Sequence, residues 1–126
     1  MDKKLELKAQ PDTPYVLFDR TSGIFQMKGR SMPEDAAAFY EPIFEWLEGY
    51  AQQPLPETFF EFELEYFNSS SLKQVLHLLL ELEKLGTMGS KVTILWRYHA
   101  YDEIMEMKGQ ELASLIDVPF KFAEVS

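Results

Sequence analysis

The sequence of 126 residues contains no cysteine, which excludes disulfide bonds, thiolate nucleophiles and zinc sites built on sulfur. It has only two histidines, His77 and His99, and they lack the short spacing of a metal-binding pair. No apolar run approaches the roughly 20 residues of a membrane-spanning helix. The first ten residues are rich in charge and hold no apolar signal core. We therefore expect a cytoplasmic protein without a metal, a cofactor or membrane insertion.

Basic residues are also scarce. Twelve lysines and arginines stand against 21 acidic residues, for a net charge of −9. A nucleic-acid-binding surface needs the opposite balance, because basic side chains must replace the counterions of the phosphates. Anionic membrane surfaces are disfavoured for the same reason. The charge excludes nucleic acid as a partner and favours a protein partner with a basic surface.

Large apolar residues are abundant, and this property predicts a folded core. Hydrophobic residues make up 46% of the chain and aromatic residues 14%. The length suits one domain spanning residues 1–126. Residues 1–14, which are polar and interrupted by prolines, are predicted to be a loosely ordered lead-in.

Hydrophobic periodicity predicts the element order β-β-α-β-α-β-α-β. Strands separated by helices imply parallel pairs, and the turn at residues 20–23 predicts an antiparallel hairpin. The fold class is therefore α/β in two layers, a mixed sheet of about five strands with three helices mainly on one face. The predicted segments are strands at 15–19, 24–29, 58–67, 91–98 and 118–122, the last at a sheet edge, and helices at 31–51, 71–85 and 101–116.

The strand at 58–67 alternates strictly between two kinds of residue. Phe60, Phe62, Leu64 and Tyr66 are predicted to face the core. The three glutamates between them are predicted to face solvent, with Lys28 and Arg97 as cross-strand counter-charges. Paired carboxylates could also suit acid–base chemistry, but nothing else in the chain supports a catalytic site.

Two capping boxes are predicted, in which a serine accepts hydrogen bonds from the first helical amides and a residue three positions later reaches back. Ser31 with Glu34 would begin the first helix, and Ser71 with Gln74 the second. Ser69 would then lie two residues outside the second helix, with its hydroxyl exposed. A phosphate there would meet free amides, the positive end of the helix dipole and Lys73. Serines in such a turn are otherwise simply caps.

The second helix is apolar over more than half of its circumference, which exceeds the stripe of an ordinary surface helix. The surplus leucines are either buried under neighbouring helices or form a patch on which a partner binds.

A different possibility is a small-ligand or lipid carrier with an aromatic-lined interior. That interior would be formed by Phe39, Phe44, Phe60, Phe62 and Trp96.

The turn and its surroundings resemble one known family. The segment Tyr66-Phe67-Asn68-Ser69-Ser70-Ser71-Leu72-Lys73, between an alternating strand and a leucine-rich helix, is similar to that of the SiaC-type regulatory phosphoproteins of bacteria. The resemblance covers roughly residues 12–122 and rests on an ordered set of features rather than one motif. The other features are Ile24 to Gly29, Pro33-Glu34, Trp46, Val92 to Tyr98 with Trp96, and Pro119-Phe120.

The resemblance implies a STAS-like fold, like that of anti-sigma-factor antagonists, without catalytic activity. It implies phosphorylation in the turn by a cognate serine/threonine kinase and reversal by a PP2C-type phosphatase. It further implies that the unphosphorylated protein binds and activates a diguanylate cyclase, which raises cyclic di-GMP. The phosphorylated residue would be Ser69, where the family pattern has threonine, with Ser70 and Ser71 as the next candidates. The predicted partner-binding residues are Asn68, Ser69, Ser70, Lys73, Leu76 and Leu80.

Overall fold

Six β-strands form one mixed sheet in the computed structural model, which describes residues 3–125. Three helices connect the last four strands. The elements are β1 (Lys4–Leu7), β2 (Tyr15–Asp19), β3 (Ile24–Ser31), α1 (Ala36–Tyr50), β4 (Glu57–Phe67), α2 (Ser69–Thr87), β5 (Lys91–His99), α3 (Glu103–Ser114) and β6 (Phe120–Val125).

The strands lie side by side in the order in which they occur along the chain. β1, β2 and β3 pair antiparallel, whereas β3, β4, β5 and β6 pair parallel. The parallel pairs require long crossovers, and α1, α2 and α3 supply them. The predicted fold class and order of elements are confirmed, including the hairpin between β2 and β3 and the edge position of β6.

The sheet has six strands rather than about five, because the segment predicted to be a loosely ordered lead-in contains β1. Its residues Lys4-Leu5-Glu6-Leu7 alternate between charged and apolar. The backbone pairs with β2, and Leu5 and Leu7 pack against the core. Four alternating residues are a weak signal alone, and pairing with β2 stabilises them as a strand.

One face of the sheet is covered by the helices and the other is open. Phe60, Phe62 and Leu64 of β4 lie in the core, as predicted. On the open face Glu61 lies between two cations, 3.0 Å from Arg97 Nε and 3.9 Å from Lys28 Nζ. The predicted solvent-facing acidic row with cross-strand counter-charges is therefore confirmed.

The alternation of β4 breaks near its end. Gly29 pairs with Leu64 but Arg30 pairs with Tyr66, so Glu65 is an extra residue in β4. An extra residue of this kind reverses the facing of those that follow. Tyr66 is consequently 42% exposed and Phe67 is buried, so the prediction that Tyr66 faces the core was wrong.

The first helix begins later than predicted. Ser31 is the last residue of β3, paired with Phe67 and fully buried, so it does not cap α1. Asp35 caps the helix instead, since its Oδ1 accepts a hydrogen bond from the amide of Ala38 at 3.1 Å. Among the described residues, no helix has the length and apolar character needed to cross a membrane.

Candidate functional site

The candidate site is the junction between β4 and α2, where Asn68 caps the helix. Asn68 has an extended backbone, and its Oδ1 accepts hydrogen bonds from the amide of Ser71 at 2.9 Å and from the hydroxyl of Ser70 at 3.1 Å. Its own amide donates to the carbonyl of Ser31 at 3.2 Å. The prediction of Ser71 as the N-cap was therefore wrong. Ser69 is the first residue of α2 instead of lying two residues outside it.

The three serines of this junction differ in what their hydroxyls contact. The hydroxyl of Ser71 is buried and accepts a hydrogen bond from Ser31 Oγ at 2.9 Å. Ser70 is exposed, but its hydroxyl donates to Asn68. Ser69 is exposed, and its hydroxyl makes no hydrogen bond with any residue between 3 and 125. Of the three, Ser69 presents a hydroxyl that is both exposed and free of hydrogen bonds within this range.

A chain of buried hydroxyls lies beneath the junction. Ser31 Oγ, which donates to Ser71, is also 2.7 Å from the hydroxyl of Tyr40 on α1. Either hydroxyl can donate in this contact, and the Tyr40 hydroxyl also lies 3.9 Å from Sδ of Met27. Burial raises the pKa of Tyr40 to about 12, so its phenol stays protonated and able to donate. The chain joins β3, α1 and the first turn of α2.

Four of the predicted partner-binding residues lie along one side of α2, and Ser70 lies beside them in the first turn. Ser69, Lys73, Leu76 and Leu80 are separated by four, three and four residues, the spacing of a single stripe. Ser69 and Lys73 are exposed, Leu76 is half-buried and Leu80 is 39% exposed. We call these four residues the α2 stripe.

Most of the surplus leucines on α2 are accounted for by the core. The opposite side of the helix buries Val75, Leu78, Leu79, Leu82 and Leu85. Between Ser69 and Leu85, the large apolar side chains that remain exposed are Leu72 and Leu80. Burial in the core thus accounts for most of the apolar surplus, and a narrow exposed stripe remains.

The two histidines occupy ordinary structural positions. His77 stacks on Phe44 of α1 at 4.1 Å between ring centroids and lies 3.4 Å from Glu81. His99 is exposed at the end of β5. Within residues 3–125, no group of three or more histidine and acidic side chains is arranged to hold a metal ion.

The aromatic residues proposed to line a ligand cavity instead form part of the core or, for Phe39 and Phe44, pack against it half-buried. Phe60, Phe62 and Trp96 are fully buried. Their rings contact in sequence, with centroids 4.8 Å apart for the first pair and 5.5 Å apart for the second. A surface groove of about 450 Å³ lies elsewhere, and its lining residues are Glu83, Gly86, Thr87, Ser90, Lys91, Val92, Asp117, Val118 and Pro119.

Two cations beside the junction were missed by the sequence analysis. The guanidinium carbon of Arg30, on β3, is 5.7 Å from the ring centroid of Tyr66. Lys108 Nζ, on α3, is 5.6 Å from the Tyr66 ring and 4.5 Å from that of Phe67. No local pattern could reveal this group, because its members come from three separate elements.

Comparisons with known proteins agree with the fold and with the family resemblance. The chain is 27% identical over 119 residues to an uncharacterised protein of Pseudomonas aeruginosa (strain UCBPP-PA14), covering 92% of each. It superposes on apo-SiaC of P. aeruginosa with a TM-score of 0.88 at 23% identity, over 97% of this chain and 98% of the other.

A second solved structure is the diguanylate cyclase SiaD of P. aeruginosa in complex with its activator SiaC. The match has a TM-score of 0.89 at 24% identity, over 96% of this chain and 99% of the matched chain. The sequence model of the SiaC family regulatory phosphoproteins matches residues 7–125, nearly the whole chain. The protein therefore belongs to the SiaC family of regulatory phosphoproteins.

Proposed function

We propose that this protein is a non-catalytic signalling module of the bacterial cytoplasm that binds and controls a diguanylate cyclase, and that phosphorylation of Ser69 switches this binding off. The α2 stripe, together with Asn68 and Ser70 at its head, is the proposed binding surface. A solved complex of a SiaC protein with the cyclase that it activates supports this choice of partner.

One observation carries the proposal, namely the position of Ser69 at the head of an exposed stripe. Its hydroxyl is exposed and unbonded within the described residues, whereas that of Ser71 is buried in the hydroxyl chain. A cognate kinase can reach Ser69 in the folded protein, while Ser71 would require opening of the first turn of α2. Ser70 is the second candidate, since modifying it breaks only its bond to Asn68.

The switch follows from the cost of burying a phosphate. A phosphoserine adds about −1.5 to −2 charges and firmly held water. An interface formed by Leu76 and Leu80 would have to strip that water or leave a gap, and both weaken binding. The domain does not need to refold, because Ser69 takes no part in the buried hydroxyl chain. A PP2C-type phosphatase would restore binding by removing the phosphate.

The proposal is tested by measuring the affinity of the purified protein for the diguanylate cyclase of its own host, with cyclase activity as a second readout. Protein with phosphoserine installed at position 69 should bind at least about tenfold more weakly, a loss of roughly 1.4 kcal/mol. Ser69→Ala should bind like the unmodified protein. Unchanged affinity on phosphorylation would refute the switch.

The surface itself is tested by a matched pair of substitutions. Leu80→Asp places a charge on the α2 stripe and should abolish activation of the cyclase. Ile24→Asp makes the same change at a similar exposure, 44%, but at the start of β3, away from the α2 stripe. It should leave activation intact. Equal loss from both substitutions would show that the effect is not specific to the stripe.

A further inference from the structure

Arg30 and Lys108 are two cations beside the exposed ring of Tyr66 in a protein of net charge −9. Within residues 3–125, neither forms an ion pair, although Lys28, Lys84 and Arg97 all do. Both instead approach the exposed ring of Tyr66, at 5.7 and 5.6 Å from its centroid. Cation–π contacts at exposed sites are weak, about 0.5–1 kcal/mol, so both charges remain available to a stronger anionic ligand.

Both cations lie at the same end of the sheet as Ser69. Arg30 precedes Ser31, whose carbonyl accepts the amide hydrogen bond of Asn68. Lys108 Nζ lies 4.5 Å from the ring of Phe67, two residues before Ser69. Side chains on a helix tilt toward its N-terminus, so Ser69 is directed back toward this end of the sheet.

We propose that Arg30 and Lys108 bind the phosphate of phosphorylated Ser69 within the same molecule, over the ring of Tyr66. This inference rests on the proposed function, in which Ser69 carries the phosphate. The planar guanidinium of Arg30 suits two phosphate oxygens at once, and the ammonium of Lys108 supplies a point charge.

This binding determines where the phosphate goes. The phosphate folds back over Tyr66 instead of extending into solvent, and the first turn of α2 stays ordered in the modified protein. Lys73, one helical turn after Ser69 on the same side of α2, is the competing cation.

The test uses the full chain with phosphoserine installed genetically at position 69, and follows the phosphate by phosphorus NMR over a pH series. Nearby cations favour the dianion, so its second pKa should lie about one unit below the value near 6 of a phosphoserine peptide. Arg30→Met and Lys108→Met should each raise the pKa back toward the peptide value. Lys84→Met is the matched control and should leave it unchanged, because Lys84 lies about 22 Å further along α2.

A pKa equal to that of the peptide in the wild-type sequence would overturn the proposal. A pKa shift that Lys73→Met removes, and that Arg30→Met and Lys108→Met do not, would also overturn the proposal. If a methionine variant unfolds, a variant that keeps the charge replaces it. Arg30→Lys should retain part of the pKa shift, and Lys108→Arg should retain nearly all of it. Because the phosphate is installed during synthesis, the result does not depend on a kinase or a cyclase. Cyclase affinity measured on the same samples tests the proposed function separately.

Discussion

The hydroxyl of Ser31, at the end of β3, donates a hydrogen bond of 2.9 Å to the hydroxyl of Ser71, in the first turn of α2. The two residues are 40 positions apart, and both are fully buried. This contact fastens the start of α2 to the sheet immediately beside Ser69. Its removal takes one of two hydroxyl partners from Ser31, which keeps the hydroxyl of Tyr40 at 2.7 Å, so the cost should be that of an ordinary hydrogen bond.

Ser71→Ala should therefore destabilise the protein by about 1 kcal/mol, since the hydroxyl of Ser31 loses one of its two buried partners. Urea unfolding followed by tryptophan fluorescence measures the change. Ser70→Ala is the matched control, because its hydroxyl is exposed, and it should change the free energy of unfolding by no more than about 0.5 kcal/mol. Equal effects would mean that the buried contact contributes nothing of its own.

Tyr40 should make stability fall in strong base. Its pKa of about 12 when folded lies above the ordinary value of 10. Between these values the unfolded chain releases the phenolic proton and the folded chain keeps it, so unfolding becomes more favourable as the pH rises. The decline due to this group should reach about 2–3 kcal/mol near pH 12.

The contribution of Tyr40 is isolated by comparing the wild-type protein with Tyr40→Phe. The variant is less stable at neutral pH because it loses its bond to Ser31, but its stability should fall less steeply between pH 10 and 12. If the stability of the two proteins falls equally with pH over this range, the pKa of Tyr40 is not raised. Other tyrosines with raised pKa, Tyr15 and Tyr98, affect both proteins alike.

The order of elements could be predicted from the sequence because it depends on local patterns. Alternation identified β4 and β5, and the spacing of apolar residues identified the helices. The facing of Tyr66 could not be predicted, because the extra residue at Glu65 appears only when β4 pairs with Gly29 and Arg30. Pairing partners are non-local, and a strand read alone does not reveal a shift in register.

The candidate site could be predicted only in part, because some of its contacts are also non-local. Its location and the stripe of α2 follow from the turn and from helical spacing. The start of α2 was misplaced because Asn68, Ser70 and Ser71 are all residue types that cap helices. β4 ends at Phe67, as predicted, but Asn68 directly after it is the cap, because its Oδ1 accepts a hydrogen bond from the amide of Ser71. The two cations near Tyr66 come together only through the topology.

The cap assignment predicts that Asn68→Ala destabilises the protein by about 1 kcal/mol, whereas Asn68→Asp, which keeps the accepting oxygen, does not. Thermal or urea unfolding measures both. Gln74→Ala distinguishes the two possible caps, because only a box formed with Ser71 would use that side chain. A loss from Gln74→Ala as large as that from Asn68→Ala would reinstate the Ser71 cap.

Replacing Gly109 with alanine should lower stability, although helix propensity alone would raise it. Alanine is favoured over glycine inside a helix by about 1 kcal/mol. A methyl group on residue 109, however, would lie 2.5 Å from Cδ1 and Nε1 of Trp96, which is fully buried. The indole is also held by a 3.1 Å hydrogen bond to the carbonyl of Met105. Gly109→Ala should therefore destabilise the protein by about 1–3 kcal/mol through overpacking.

Gly86 supplies the matched control, since it also lies in a helix but a methyl group there would meet no atom within 4 Å. Gly86→Ala should raise the free energy of unfolding by up to about 1 kcal/mol. Opposite signs for the two substitutions in urea unfolding would establish that α3 packs directly on Trp96.

That packing also positions Lys108, the residue before Gly109, so Gly109→Ala in the phosphorylated protein should raise the second pKa of the Ser69 phosphate. Stabilisation by both substitutions would instead mean that α3 lies farther from the sheet, and the assignment of Lys108 to the phosphate would lose its geometric basis.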